Sequence, residues 1–146
     1  MEEGDSLEAI VSDIGVQLLD ALKEMHMIYY LHRDVKIENM RSDGRNVYLT
    51  DFGTIIRCND ENGQFNQVDK VTGHFAGSHI FLSLNGHYLR SISFRDDLES
   101  LGYTLLALLA GPESFWYKSK SKDHRFYITE KKKFIDSQTI PRLAVI

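Results

Sequence analysis

The chain of 146 residues has one cysteine, two prolines and no apolar run long enough to span a bilayer. A single cysteine, Cys58, excludes an intramolecular disulfide and any cysteine-based metal centre, so nothing calls for an oxidising compartment. It reads as a buried thiol rather than a nucleophile. Two prolines and ten glycines exclude a collagen-like or low-complexity chain. Positive charge is also in deficit, with a formal net charge of -4. That balance argues against nucleic acid as a partner, because affinity for phosphate backbones comes from clustered Lys and Arg. The opening Met1-Glu2-Glu3-Gly4-Asp5 lacks the basic start and apolar stretch of a signal peptide. The longest near-apolar run, Leu98 to Ala110, contains Glu99 and Ser100 and falls short of the roughly 20 residues that cross a membrane. Together these absences predict an intracellular protein, in the cytoplasm and/or nucleus, without a membrane partner.

What is present is a globular composition, 42% hydrophobic and 26% charged, in a length suited to one domain. From Ser6 to about Ile28, apolar residues Leu7, Ile10, Ile14, Leu18, Leu22 and Met25 recur at helical spacing, with Asp5 or Ser6 available as cap. Tyr29 to Asp34 is too rich in aromatic and ionisable groups to continue that helix and predicts a short strand entering a loop. Asn46 to Asp51 alternates as a strand after the turn signal Ser42-Asp43-Gly44-Arg45, which predicts a hairpin. Residues 54–92 show no sustained period, and so long an irregular stretch usually carries function. Ser93-Phe94-Arg95-Asp96 has capping-box spacing and opens a helix that Gly111-Pro112 stops. Being apolar nearly all round, that helix is expected in the middle of the domain. Lys118, Lys120, Lys122 and Lys131-Lys132-Lys133 read as a solvated face, and Phe115 and Trp116 as packing residues.

His32-Arg33-Asp34-Val35-Lys36-Ile37-Glu38-Asn39 matches the H-R-D-x-x-x-x-N catalytic loop of protein kinases, and Asp51-Phe52-Gly53 follows as D-F-G. Either motif alone is modest; the two in order, with a hairpin between them, resemble a kinase strongly. The chemistry asks for this pattern because phosphoryl transfer needs groups positioned and charge neutralised more than covalent work. The resemblance implies that Asp34 accepts the proton of the incoming hydroxyl. It implies that Asn39 and Asp51 hold Mg2+ on ATP through hard oxygens. Lys36 resembles the lysine that serine/threonine kinases set near the transferred phosphate, so Ser or Thr is the expected acceptor in a protein substrate. His32 and Arg33 are expected to be structural, the arginine contacting the activation segment, and His26 to pack the helix end.

Gly77-Ser78-His79-Ile80-Phe81-Leu82-Ser83-Leu84-Asn85 and Arg95-Asp96-Asp97-Leu98-Glu99-Ser100-Leu101-Gly102-Tyr103 are similar to the casein kinase I superfamily, which includes the tau-tubulin and vaccinia-related kinases. Ser83-Leu84-Asn85 stands where most kinases have Ala-Pro-Glu. The resemblance, from about Leu7 to Phe134, implies an α+β, predominantly α fold: an incomplete protein-kinase-like large (C-terminal) lobe with a small catalytic-loop β-hairpin. Within residues 1–146 it puts the catalytic loop at 32–39, D-F-G at 51–53, the activation segment at 51–85 and a central buried helix at 94–110. Asp97 would brace the catalytic-loop backbone and Ser78 would contact that loop.

The sequence departs from the family at Ile37, where proline is common, at Tyr29, where glycine ends the helix, and at Phe94-Arg95, where paired arginines stand. It has no G-x-G and no V-A-I-K strand, and Lys23, the only lysine ahead of His32, falls inside the first helix. The expectation is therefore a partial domain lacking the small lobe and the last large-lobe helices. Two readings stay open: a serine/threonine kinase, or a catalytically inactive remnant that binds a substrate, a full-length kinase or a scaffold.

Overall fold

The computed structural model describes residues 6–59, 62–64, 78–111 and 123–136. Its first element is α1 (Leu7–Met27), where Ser6 caps the start by accepting from the Ala9 amide at 3.2 Å. The stripe Val11, Gly15, Leu18 and Leu22 is buried. Each fully buried leucine is worth about 2 kcal/mol. Gly15 lets the neighbouring helix approach, since a Cβ there would meet Leu105 Cδ1 at 3.1 Å. Tyr29 ends the helix in the left-handed region at φ 62, its amide donating to His26 O at 3.0 Å.

Strand β1 (Tyr30–Leu31) follows, then the loop to a single 3-10 turn at Ile37–Asn39. β2 (Met40–Ser42) and β3 (Val47–Leu49) form the expected hairpin, with Met40 opposite Leu49 and Ser42 opposite Val47. Its turn is set by Asp43, whose carboxylate accepts from the Asn46 and Arg45 amides at 2.7 and 2.9 Å, and by Gly44 at φ 94. A second 3-10 turn, Phe52–Thr54, leads to β4 (Ile56–Arg57), which pairs antiparallel with β1. The stretch 54–92, expected to be irregular, therefore contains β4 and also α2 (Leu84–His87).

α3 (Phe94–Ala110) opens on a capping box in which the Ser93 amide donates to Asp96 Oδ2 at 2.7 Å, and ends at Gly111 with φ 68. It feeds all three apolar clusters. Leu101 joins Leu18, Leu22, Val35 and Leu49; Tyr103 and Ala107 join Phe81 and Tyr127; Phe94 packs on Leu31, Cys58 and Ile92. Yet α3 is not buried all round, because Leu98 and Leu109 stay exposed while Asp96, Asp97, Ser100 and Thr104 are buried. Two inward carboxylates set the rotation of the helix and turn Leu98 outward. Cys58 is buried as expected, its thiol donating to Tyr29 O at 3.1 Å.

The last element is α4 (His124–Asp136), anchored by Tyr127 and Lys131. Lys131 overturns the solvated-face expectation: it is fully buried, with its ammonium 4.3 Å from the Tyr103 ring centroid. Lys132 and Lys133 keep to the outside, Lys133 pairing with Glu130. Phe115, Trp116, Lys118, Lys120 and Lys122 lie outside the described residues, as do 65–77 of the expected activation segment. Among the described residues no helix is long and apolar enough to cross a membrane.

Candidate active site

The 32–39 loop is fastened from beneath by Asp97 on α3. Asp97 Oδ2 accepts from the His32 amide and Oδ1 from the Arg33 amide, both at 2.8 Å. Arg33 is left-handed at φ 69, and a left-handed residue lets successive amides face one anion. His26 completes the bracket: Nε2 lies 2.9 Å from Asp97 Oδ2 while the ring stacks on Phe94 at 4.6 Å. The helix-end histidine thus packs, as expected, and also braces the carboxylate.

His32 is fully buried and its partners fix its tautomer. Nε2 faces the Thr50 carbonyl at 3.1 Å, which only accepts, so Nε2 carries the proton and Nδ1 accepts from the Asp34 amide at 3.3 Å. Phe52 meets the ring edge-on at 5.7 Å, and Thr54 Oγ1 donates to His32 O at 2.9 Å.

Asp34 is 8% exposed and has every oxygen engaged. Oδ2 accepts from Lys36 Nζ at 2.5 Å and Asn39 Nδ2 at 3.0 Å; Oδ1 accepts from the Ser78 amide at 2.9 Å. Charge-assisted bonds of this kind are the strong ones and hold a carboxylate in one orientation. Ser78 meets the loop, and does so through its backbone amide. Asn39 Nδ2 also donates to Asp34 O at 2.8 Å. With that nitrogen committed, the other amide atom, Oδ1, is left to accept.

Asp34, Lys36 and Asn39 are therefore joined directly. Asp51 reaches them only through its neighbour: the Thr50 amide and hydroxyl both donate to Asn39 O, at 2.8 and 2.9 Å. Asp51 itself is exposed, left-handed at φ 64, and accepts from the Gly53 amide at 3.3 Å. Asn39 Oδ1 and Asp51 Oδ2 carry no hydrogen bond among the described residues. One amide oxygen and one carboxylate form a hard donor set, which fits a Mg2+ that keeps waters and shares substrate phosphates. Thr50 and Thr54 were not singled out from sequence; the only signal for Thr50 is its place just ahead of Asp51.

Arg33 Nε is buried without a hydrogen-bond partner among the described residues, and burial pulls the guanidinium below its ordinary range against the opposing pull of Asp97. Its expected partner, the activation segment, is described at 51–59, 62–64 and 78–85 and lies outside the described residues at 60–61 and 65–77. Lys23, by contrast, lies exposed on α1.

The chain as a whole is similar to known proteins. The family described as protein kinase domain matches residues 2–144. A probable serine/threonine-protein kinase of Dictyostelium discoideum is 36% identical over 115 residues, covering 75% of this chain and 23% of that one. The serine/threonine-protein kinase VRK2 of Homo sapiens is 34% identical over 114 residues, 75% of this chain and 22% of that one. Casein kinase 1-like protein HD16 of Oryza sativa subsp. japonica is 31% identical over 137 residues, 88% of this chain and 19% of its own length. The solved structure of vaccinia related kinase 3 superposes with a TM-score of 0.68 at 28% identity, over 86% of this chain and 40% of that one. The chain thus spans about a fifth of the length of these curated relatives.

Proposed function

Because the chain belongs to the protein kinase domain family, we propose that it carries the acceptor-side machinery of a serine/threonine protein kinase of casein kinase I type, moving the ATP γ-phosphate to a Ser or Thr hydroxyl. In this reading residues 1–146 are a partial kinase domain, with catalytic loop 32–39, D-F-G 51–53, activation segment 51–85 and central helix 94–110. The observation that carries it is the Asp34 carboxylate, tied to Lys36, Asn39 and the Ser78 amide.

Asp34 would take the proton of the incoming hydroxyl on a lone pair its three donors leave open. Pinned orientation keeps that oxygen within reach of the nucleophile, and positioned proton transfer contributes about 10²–10⁴-fold. Lys36 would swing its ammonium from Asp34 towards the charge that develops on the transferred group. Asn39 Oδ1 and Asp51 Oδ2 would hold Mg2+. When bound, Mg2+ and ATP supply charge neutralisation and the phosphoryl group.

Asp34→Asn keeps the shape and removes the base. Incubation with Mg2+, γ-labelled ATP and casein should show label on Ser and Thr, with the rate falling roughly 10³-fold in Asp34→Asn. Label transfer that ignores the substitution, or appears on Tyr alone, would sink the reading. The second reading is a catalytically inactive protein-binding module. It predicts no transfer, with casein or a full-length kinase retained equally by both proteins.

A further inference from the structure

Away from the 32–39 loop, titratable groups crowd where α4 meets α2 and the 78–83 segment. His79 Nε2 stands 3.0 Å from His124 Nε2, His124 Nδ1 stands 3.0 Å from His87 Nδ1, and His87 Nε2 stands 3.2 Å from Lys131 Nζ. His87 and Lys131 are buried; His79 and His124 are half-buried. Lys131 Nζ also donates to the Leu82 carbonyl and, at 3.5 Å, to that of His79. From α3 the cluster faces Tyr103, whose hydroxyl donates to Glu99 Oε1 at 2.7 Å. Asp123, just ahead of α4 and beside His124, and Tyr127 on α4, stacked on His87 at 5.6 Å, complete the surroundings.

The ring nitrogens meet one another and Lys131 in separate pairs, so the three imidazoles do not converge on one point as a tetrahedral ion requires. Among the described residues no group of three or more His, Cys, Asp or Glu could hold a metal ion. The contacts are instead a chain of hydrogen bonds, each of which needs a single shared proton. Start with Lys131 as an ammonium donating to His87 Nε2. His87 Nδ1 is then the donor to His124, and His124 Nε2 the donor to His79, with all three rings neutral. Start with Lys131 as an amine and it accepts from His87 while still donating to its two carbonyls. One of His87, His124 or His79 can then be charged, but never two. A second positive charge sets two N–H groups against each other at one contact and breaks it.

We propose that His79, His87, His124 and Lys131 form an acid-sensitive latch, which tolerates one positive charge while α4 is docked and releases α4 from α2 and the 78–83 segment when a second proton enters. Release would reach the candidate active site, because the Ser78 amide holds Asp34 Oδ1 and Ser83 Oγ holds Asp96 Oδ1 at 2.7 Å. The latch does not depend on the kinase reading, since its test reads structure and not phosphotransfer.

The direction of the pH effect follows from the folded state. Burial first, then the Lys131 charge, pushes the His87 imidazole down to about 3. Burial and His79 lower His124. Both rings take up protons more readily once unfolded, so stability is lost as pH falls below about 6.5. Urea unfolding of the full chain and of His124→Gln, whose amide can both donate and accept, should be followed from pH 7.5 to 5. The wild type should take up more than one proton on unfolding, and the variant about one fewer. Equal uptake by the two proteins overturns the latch. Should His124→Gln not fold, ring 15N shifts of the wild type decide. A joint step of His79 and His124 coinciding with loss of α4 amide protection supports it. Three rings titrating independently near pH 6.5 with α4 still protected refutes it.

Discussion

Asp97 shows how much a single side chain can hold. It is 3% exposed and takes the amides of His32 and Arg33 together with His26 Nε2. Asp97→Ala leaves two backbone donors, one buried and one part-buried, without their partner, which should cost about 3 kcal/mol, while Asp97→Asn, keeping one acceptor, should cost less. Urea unfolding midpoints check the order. This role was legible, because Asp97 sits at a fixed place in a run that resembles a known family. The part played by Ser78 was legible only as an address: a backbone amide makes the contact, and residue type says little about where an amide points. Left-handed geometry divides the same way. It could be read at Tyr29, where a glycine was expected, but not at Arg33 or Leu89, whose side chains give no hint of a positive φ.

Among elements, α1 and α3 could be read because each repeats an apolar pattern over many turns and carries its caps at the ends. β4 and α2 could not. An element of two or four residues has no period to detect, and β4 exists through pairing with a strand distant in sequence. α2 runs out at Leu89, which is exposed and left-handed at φ 55. Leu89→Gly should relieve that backbone at little packing cost, stabilising the protein by about 1 kcal/mol. A calorimetric scan should register roughly 3 °C in Tm. α4 misled the reading because three successive lysines suggest a solvated face. The missed signal was position: Lys131 is four residues after Tyr127 and three before Phe134, on the stripe that faces the second cluster.

For the molecule as a whole, Lys131 makes stability depend on pH in the alkaline direction too. Burial pushes its ammonium down to about 7 from the ordinary 10.5. Above pH 7 the folded chain gives up this proton while the unfolded chain keeps it, so stability rises with pH. Near pH 10 the trend reverses, because burial and Glu99 raise the Tyr103 phenol and the unfolded chain ionises it first. Lys131→Met fills the same space against aromatic rings and removes the proton. Urea midpoints taken between pH 7 and 9.5 should climb in the wild type and stay level in the variant.

Cys58 gives the protein a built-in timer. Its sulfur is shut beneath the β1–β4 ribbon, hydrogen-bonded to Tyr29 O, and burial holds the thiol above its normal range. A maleimide or disulfide reagent can therefore react only in the moments when that ribbon lifts. With no other sulfhydryl in the chain to blur the signal, the labelling rate counts those openings. It should rise steeply in Asp97→Ala, where the neighbouring loop has lost its fastening.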